Sequence, residues 1–312
     1  MELPLDALSK GYRIPGTEIY IDPLEPVRCA IISHAHGDHA VEGHENVYCS
    51  AGTAALISKR FTYPAKKIFE MPFGETVTIE GIKVSLHPAG HMLGSSQVRW
   101  EKDGKIIVYS GDYKREEDKS CEPFEIVKCD TFITEVTFGQ QDKTHPPAAE
   151  IIAALNTHDG LNMLIGAYNL GKAQRLTRLI NDNLPSYRVM IHSKMVAYHK
   201  VYESMGFSLG PWEPYKREAF KNQKNIIYLV SPATLLNFRP AKHFIRAFAT
   251  GWEEKAARYD FSVPVSDHAD WPSLIRTIKE CEAKEIFTIH GEGETLKNTP
   301  ELSGIFIAPL KH

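Results

Sequence analysis

The sequence offers little that could staple a fold or hold it in a membrane. Among its 312 residues are five cysteines (Cys29, Cys49, Cys121, Cys129 and Cys281), scattered, odd in number and without a C-x-x-C pair. This argues against a disulfide framework and a thiolate zinc site, and it suits a reducing cytosol. No apolar run approaches the roughly 18 residues that cross a bilayer. The opening "MELPLDALSKGYRIPG" has neither the basic start nor the apolar centre of a secretion signal. A cytoplasmic location without a membrane is expected. Internal repeats and low-complexity linkers are missing too. So is any excess of positive charge: 36 Lys and Arg against 39 Asp and Glu give a formal net charge of −3. A uniformly basic nucleic-acid binder is not indicated. Bound divalent cations would nonetheless add positive charge where phosphates sit, so net charge is silent on the substrate.

What is present is an ordinary globular composition, 43% apolar and 24% charged, in a chain long enough for one large domain or two. Short β-branched runs read as buried strands at 27–33, 81–90, 105–112, 130–135, 162–168, 188–193, 225–231, 243–251 and 285–292. Helical patterns lie between some of them: "TAALISKRF", "PAAEIIAALNTH", "KAQRLTRLINDN", "KMVAYHKVYESMG" and "WPSLIRTIKECEA". Strand and helix alternate in the second half, which predicts an α/β layered architecture. The polar segment "GQQDKTHPP" at 139–147 is the candidate crossing between domains.

"SHAHGDHAVEGH", residues 33–44, follows the first of these strands and holds four histidines and an aspartate. His34 and His36 alternate, so an extended chain projects both to one side. Gly37 permits a turn, which sends Asp38 and His39 toward a second point. Imidazole and carboxylate ligands suit zinc or manganese. The bland alternative is a solvated polar loop. It weakens once other strand ends are added: His91 in "HPAGH", Asp112 in "YSGD" and His290 in "TIHGE". In open α/β sheets, sites collect beyond the carboxyl ends of strands. His34, His36 and His91 then complete one coordination shell, Asp38, His39 and His290 a second, and Asp112 bridges them. Two divalent metal ions, zinc first and manganese as the alternative, suit phosphoryl chemistry: they acidify a shared water and hold a developing oxyanion.

"HAHGDH", "AGH", "SGD" and "IHGE" resemble the metal motifs of the metallo-β-lactamase superfamily. The resemblance implies an α/β fold, the αβ/βα four-layer sandwich with a binuclear site at one edge. His290 follows Asp112 by 178 positions, more than a compact member needs. The excess resembles the inserted α/β cap of the β-CASP nuclease branch. On that resemblance the first part of the metallo-β-lactamase domain is expected at 1–142, the cap at 143–258 and the second part at 259–312. "ITEVTFG" resembles the branch's acidic motif and gives Glu135. "SDHAD" resembles its second motif and gives His268, and "TIHGE" is the histidine version of its third. "GAYNLGKAQRL" (166–176) resembles a segment of the cap, where a helix start can hold a phosphate. Across nearly all 312 residues the chain is most similar to the ligase-associated DNA damage response exonucleases, departing in Val136, where alanine is usual and where harmless packing is expected.

These matches imply hydrolysis of DNA phosphodiester bonds by a hydroxide activated at the binuclear site, by an exonuclease of DNA repair associated with a DNA ligase and a helicase. Asp38, His268 and Glu135 are the catalytic candidates. His268 is not needed for either shell and is assigned the general acid; Glu135 orients or charges it. Asp22, in "YIDP", is assigned to orient a ligand imidazole. Ser95, Lys172 and Arg175 are candidate phosphate contacts. Other histidines, His44, His192, His199, His243 and His312 among them, are read as surface or packing residues. Two alternatives stay open. One is an RNA-processing exo- or endoribonuclease of the same branch, since nothing in the residues reads the sugar. The other is a small-molecule metallohydrolase, against which the long insert and His268 both argue.

Overall fold

The computed structural model describes residues 3–63, 65–216, 223–237 and 244–310; His243 and His312 lie outside them. The chain forms two compact units, Met1–Thr144 with His268–His312, and His145–Asp267. The second ends at Asp267 rather than at 258 because the strand Phe261–Val263 pairs with Phe244–Ala249.

The first unit is an α/β sandwich of two mixed sheets. One runs in the order Asp6–Leu8, Gly11–Arg13, Ile19–Ile21, Cys29–Ile31, Asn46–Cys49, Lys67–Glu70. The other runs Phe306–Pro309, Glu285–Ile289, Thr131–Glu135, Lys105–Tyr109, Ser96–Lys102, Ile82–Pro88, Thr76–Ile79. Strand periodicity explains the core between them. Every second side chain, such as Cys29 and Ile31 in one sheet and Val84 and Leu86 in the other, points into one cluster built around Trp100. Truncating the fully buried Trp100 to alanine would cost about 3–5 kcal/mol. The outer face of the second sheet carries Val108, Phe132 and Ile286, which pack with Leu274 and Ile278 of the amphipathic helix Trp271–Glu280. That helix starts where a sequence reader would place it: Asp270 accepts from the Ser273 N–H, and proline stands in the first turn.

Strand direction sets the site. Lys105–Tyr109, Thr131–Glu135 and Glu285–Ile289 are adjacent and parallel, in the registers Tyr109 opposite Ile133 and Glu135 opposite Ile289. Their carboxyl ends therefore share one rim, and the residues just beyond them are Asp112, Glu135 itself and His290. The Ser96 N–H donates to the Ser33 carbonyl at 2.9 Å, which ties the histidine loop of the first sheet to the second sheet at that rim.

The second unit is built on a six-stranded parallel sheet, ordered Trp212–Pro214, Arg188–Ile191, Ile226–Val230, Asn162–Gly166, Phe244–Ala249, Phe261–Val263. Its central strands are buried on both faces, as parallel strands are. One face is covered by Ile151 and Leu155 of the helix Ala148–Asn156, by Leu176 and Ile180 of Lys172–Asn183 and by Met195 of Ser193–Ser204. At Gly166 a Cβ would meet Leu235 Cδ2 at 2.5 Å, so a larger residue at the end of that strand would have to displace the Leu235 side chain. Among the described residues, no helix is long and apolar enough to cross a membrane.

Candidate metal centre

All the residues of this site belong to the first unit. Cys29–Ile31 leads into Ser33 and His34, both fully buried, and the turn after His36 brings His39 back toward Asp112. The His36 Nδ1 lies 3.2 Å from His34 Nε2 and 3.1 Å from His91 Nε2. Asp112 Oδ2 lies 3.6 Å from His34 Nε2 and 3.8 Å from His91 Nε2. Its other oxygen, Oδ1, is 3.4 Å from His39 Nε2 and 3.6 Å from His290 Nδ1. Among the described residues, three groups of potential ligating atoms are each gathered within 4.8 Å: two hold the expected ligands, His34, His36, His91 and Asp112, and His39, Asp112 and His290, and the third is Asp112 with Glu135 and His268. Asp112 is common to all three. Asp38 stands at the rim, its side chain 77% exposed and its Oδ2 4.0 Å from His39 Nε2, outside all three groups.

The donor set fits two divalent cations. His39 Nε2 and Asp112 Oδ1 are buried without a hydrogen-bond partner although they face each other, and a buried polar pair of this kind needs a partner in the space between. The electrostatics differ between the two histidines at the centre. Burial, reinforced by His39, His91 and His36, holds the His34 imidazole far below its ordinary value, in the neutral form a ligand requires. Burial alone would lower His39 as well, but Asp112 and then Asp22 push it up to about 10. Partial desolvation at the rim raises the Asp38 carboxyl, but His39, a backbone hydrogen bond and then His36 and His290 hold it below the usual range.

Asp22 is placed to orient His39. Its Oδ2 accepts from His39 Nδ1 at 2.8 Å, from the Ser33 hydroxyl at 2.6 Å and from the Tyr109 hydroxyl at 3.1 Å, while Oδ1 accepts from the Ser33 N–H at 2.7 Å. With Nδ1 occupied, His39 can offer only Nε2 to the cluster. Glu135 is 1% exposed; both its oxygens accept from His268 Nδ1, at 3.0 and 2.9 Å, and Oε1 also accepts from the Tyr113 N–H at 2.9 Å. Burial by itself would raise Glu135, but His268 and the Thr137 hydroxyl hold it below its usual range as an anion. His268 Nδ1 lies 3.9 Å from Asp112 Oδ2 and its ring is 4.9 Å from that of His91, so the dyad borders the ligand cluster.

Three expected phosphate contacts are placed differently. Ser95 is buried, and its Oγ accepts from the N–H groups of His91 and Met92 at 3.0 and 3.2 Å; it shapes the loop that carries His91. Lys172 and Arg175 belong to the second unit and are nearly buried there. Lys172 donates to the Val265 carbonyl at 2.9 Å and Arg175 to the Ser266 carbonyl, and both pair with Asp267. Two buried cations against one buried carboxylate are a structural clamp on residues 265–267.

One site residue carried no signal in the sequence. Arg60, at the end of the helix Ala51–Arg60, donates to the carbonyls of Ala35 and His36 at 2.8 and 3.1 Å and of Ala40 at 2.5 Å. It holds the turn of the histidine loop from outside.

Comparison with known proteins places this geometry in a family. Residues 10–165 match the model of the beta-lactamase superfamily domain, and the chain belongs to that superfamily. It is 32% identical over 93% of its length to a probable DNA ligase of Opitutus terrae, of which it spans 29%. It is 24% identical over 85% of its length to an RNase J-like protein of Methanocaldococcus jannaschii, spanning 82% of that chain. A protein of unknown function from Enterococcus faecalis V583 shares the fold, with a TM-score of 0.62 over 91% of this chain and 79% of that one at 15% identity.

Proposed function

We infer that the chain is a metal-dependent nuclease of the β-CASP branch, hydrolysing phosphodiester bonds of DNA as an exonuclease of DNA repair, with the second unit as its inserted cap. The observation that carries this reading is the Glu135–His268 pair set against Asp112, the carboxylate common to both ligand groups. A metallohydrolase acting on small activated esters has no use for a partly exposed imidazole held by a buried carboxylate beside the ligand set; expelling a poor alkoxide leaving group does. Likeness to the RNase J-like protein supports the branch, and likeness to the probable DNA ligase supports work alongside a ligase.

His34, His36 and His91 would hold one divalent cation and His39 and His290 the other, with Asp112 between them, zinc being favoured by the imidazole-rich set. When bound, the pair supplies Lewis acidity and an acidified water. The protein's own groups do the rest. Asp22 keeps His39 aimed. Asp38 lies on the exposed side, where it can steer a water. Glu135 accepts a hydrogen bond from His268 Nδ1–H, which orients the ring and stabilises its imidazolium form, and the Nε2–H of that imidazolium is the proton given to the leaving oxygen.

Replacement of His268 with alanine is expected to keep two metal ions per chain and to lower turnover by about 10²–10⁴-fold. A variant that cleaves at the parent's rate would remove His268 from the chemistry. Digestion of end-labelled DNA and RNA, each with free and blocked 5′ and 3′ ends, tests the nuclease reading as a whole. Preference for DNA and attack from an end are the expected results, and RNA preference would select the ribonuclease alternative.

A further inference from the structure

The net charge of −3 is unevenly divided. Between His145 and Asp267 there are 15 Lys and Arg against 10 Asp and Glu, a formal +5, whereas the remaining residues, 21 against 29, carry −8. The metal ligands sit in the acidic part. In a nuclease, the long-range attraction for a polyanion therefore has to come from the second unit.

The topology of that unit points to one edge. All its strands are parallel, so their carboxyl ends form a continuous rim. Asn162–Gly166 and Phe244–Ala249 are neighbours, yet the chain continues from the first toward Arg188–Ile191 on one side and from the second toward Phe261–Val263 on the other. Diverging connections of this kind open a crevice at the carboxyl ends, where ligands of open α/β sheets bind. An exposed aromatic stands on either side of it. Tyr168, just past Gly166, is 52% exposed, and Trp252, just past Ala249, is 38% exposed. Lys172 Nζ lies 5.9 Å from the Tyr168 ring centre and Lys255 Nζ 5.4 Å from that of Trp252. Further along the same rim, Lys194 follows Arg188–Ile191 and Lys216 follows Trp212–Pro214, both exposed. Glu253 and Glu254 are the acids next to Trp252, in the first turn of the helix Glu253–Ala256.

We propose that Tyr168 and Trp252 form a base-stacking platform for single-stranded nucleic acid, with the exposed lysines of this rim, Lys194, Lys216 and Lys255, taking its phosphates. The inference rests on the nuclease reading. Aromatic faces interleaved with ammonium groups bind single strands of any sequence, because every base has a π-face to stack and only an unpaired strand leaves it accessible.

The test uses the full chain with EDTA present, so that binding is read without cleavage. The probes are fluorescein-labelled oligothymidylate and oligouridylate, followed by anisotropy. Tyr168→Ala and Trp252→Ala are each expected to weaken binding by about 5-fold to about 100-fold. Tyr168→Phe and Trp252→Phe restore most of it, since they keep the stacking face. Tyr63→Ala, which removes an aromatic 71% exposed in the first unit, leaves binding at the parent's level. Alanine variants that bind like the parent, or phenylalanine variants as weak as alanine, overturn the platform. The two readings fail separately: a parent that binds through both aromatic rings but digests no strand loses the nuclease reading alone, and one that digests end-labelled strands while its alanine variants bind normally loses the platform alone. A parent that neither binds nor digests loses both.

Discussion

Arg60 directs its donors at carbonyls 20 to 25 residues upstream, so the backbone around His36 is fixed by a side chain that ligates nothing. Groups that orient metal ligands from behind typically govern affinity by about 10–100-fold. Arg60→Met is therefore expected to weaken zinc binding by about that factor in competition with a chromogenic chelator, with Arg60→Lys between it and the parent. Unfolding of the metal-free variants, followed in parallel, separates a looser site from a lost fold; unchanged zinc affinity in Arg60→Met would contradict the role. His39 yields a second prediction at this scale. Held up to about 10 by Asp112 and Asp22 against its own burial, the metal-free imidazole is protonated below that pH and must become neutral to bind through Nε2. Zinc uptake at about pH 8 should therefore release about one proton. Calorimetry in buffers of different ionisation enthalpy reads it as a buffer-dependent heat, and buffer-independent heats would contradict the protonated His39.

At the scale of elements, the ends of Thr131–Glu135 and Glu285–Ile289 meet through Val136 and Gly291. A Cβ on Gly291 would lie 2.8 Å from Val136 Cγ2, so the valine fills the space that the glycine leaves beside His290. Gly291→Ala should cost about 1–3 kcal/mol by overpacking, and adding Val136→Ala should recover most of it. A urea-unfolding double-mutant cycle measures that coupling, and additive effects would mean that the two do not press on each other. The same elements show what a reader of sequence can see. Runs such as "KIIVY" and "NMLIG" announce their strands by composition, and "HAHGDH" announces a cluster because four potential ligands in six residues need no partner to be noticed. Three-residue strands such as Gly11–Arg13 and Ile19–Ile21 are too short for a period to register. Arg60 and Ser95 were opaque for another reason: their partners are main-chain groups, which carry no residue type. Lys172 and Arg175 looked like phosphate ligands because Asp267, their partner, lies over 90 positions away.

At the scale of the whole molecule, an acidic unit holding the candidate metal centre and a basic unit with an aromatic rim make a quantitative difference that salt can read. Each phosphate of a single strand neutralised by a lysine contributes about −0.7 to the slope of log affinity against log salt. Lys194 and Lys224 are both exposed lysines of the second unit, so they alter its net charge equally. They differ in position: Lys194 follows the strand Arg188–Ile191 at the carboxyl rim, and Lys224 precedes Ile226–Val230 at the opposite edge. With oligothymidylate and EDTA, Lys194→Gln should flatten the slope by about 0.7 and Lys224→Gln should leave it unchanged. If both flatten it alike, the strand is attracted by net charge without being seated on one edge. If only Lys194 matters, then the carboxyl edge is where the phosphates lie, and the aromatic side chains on that edge are where the bases must go.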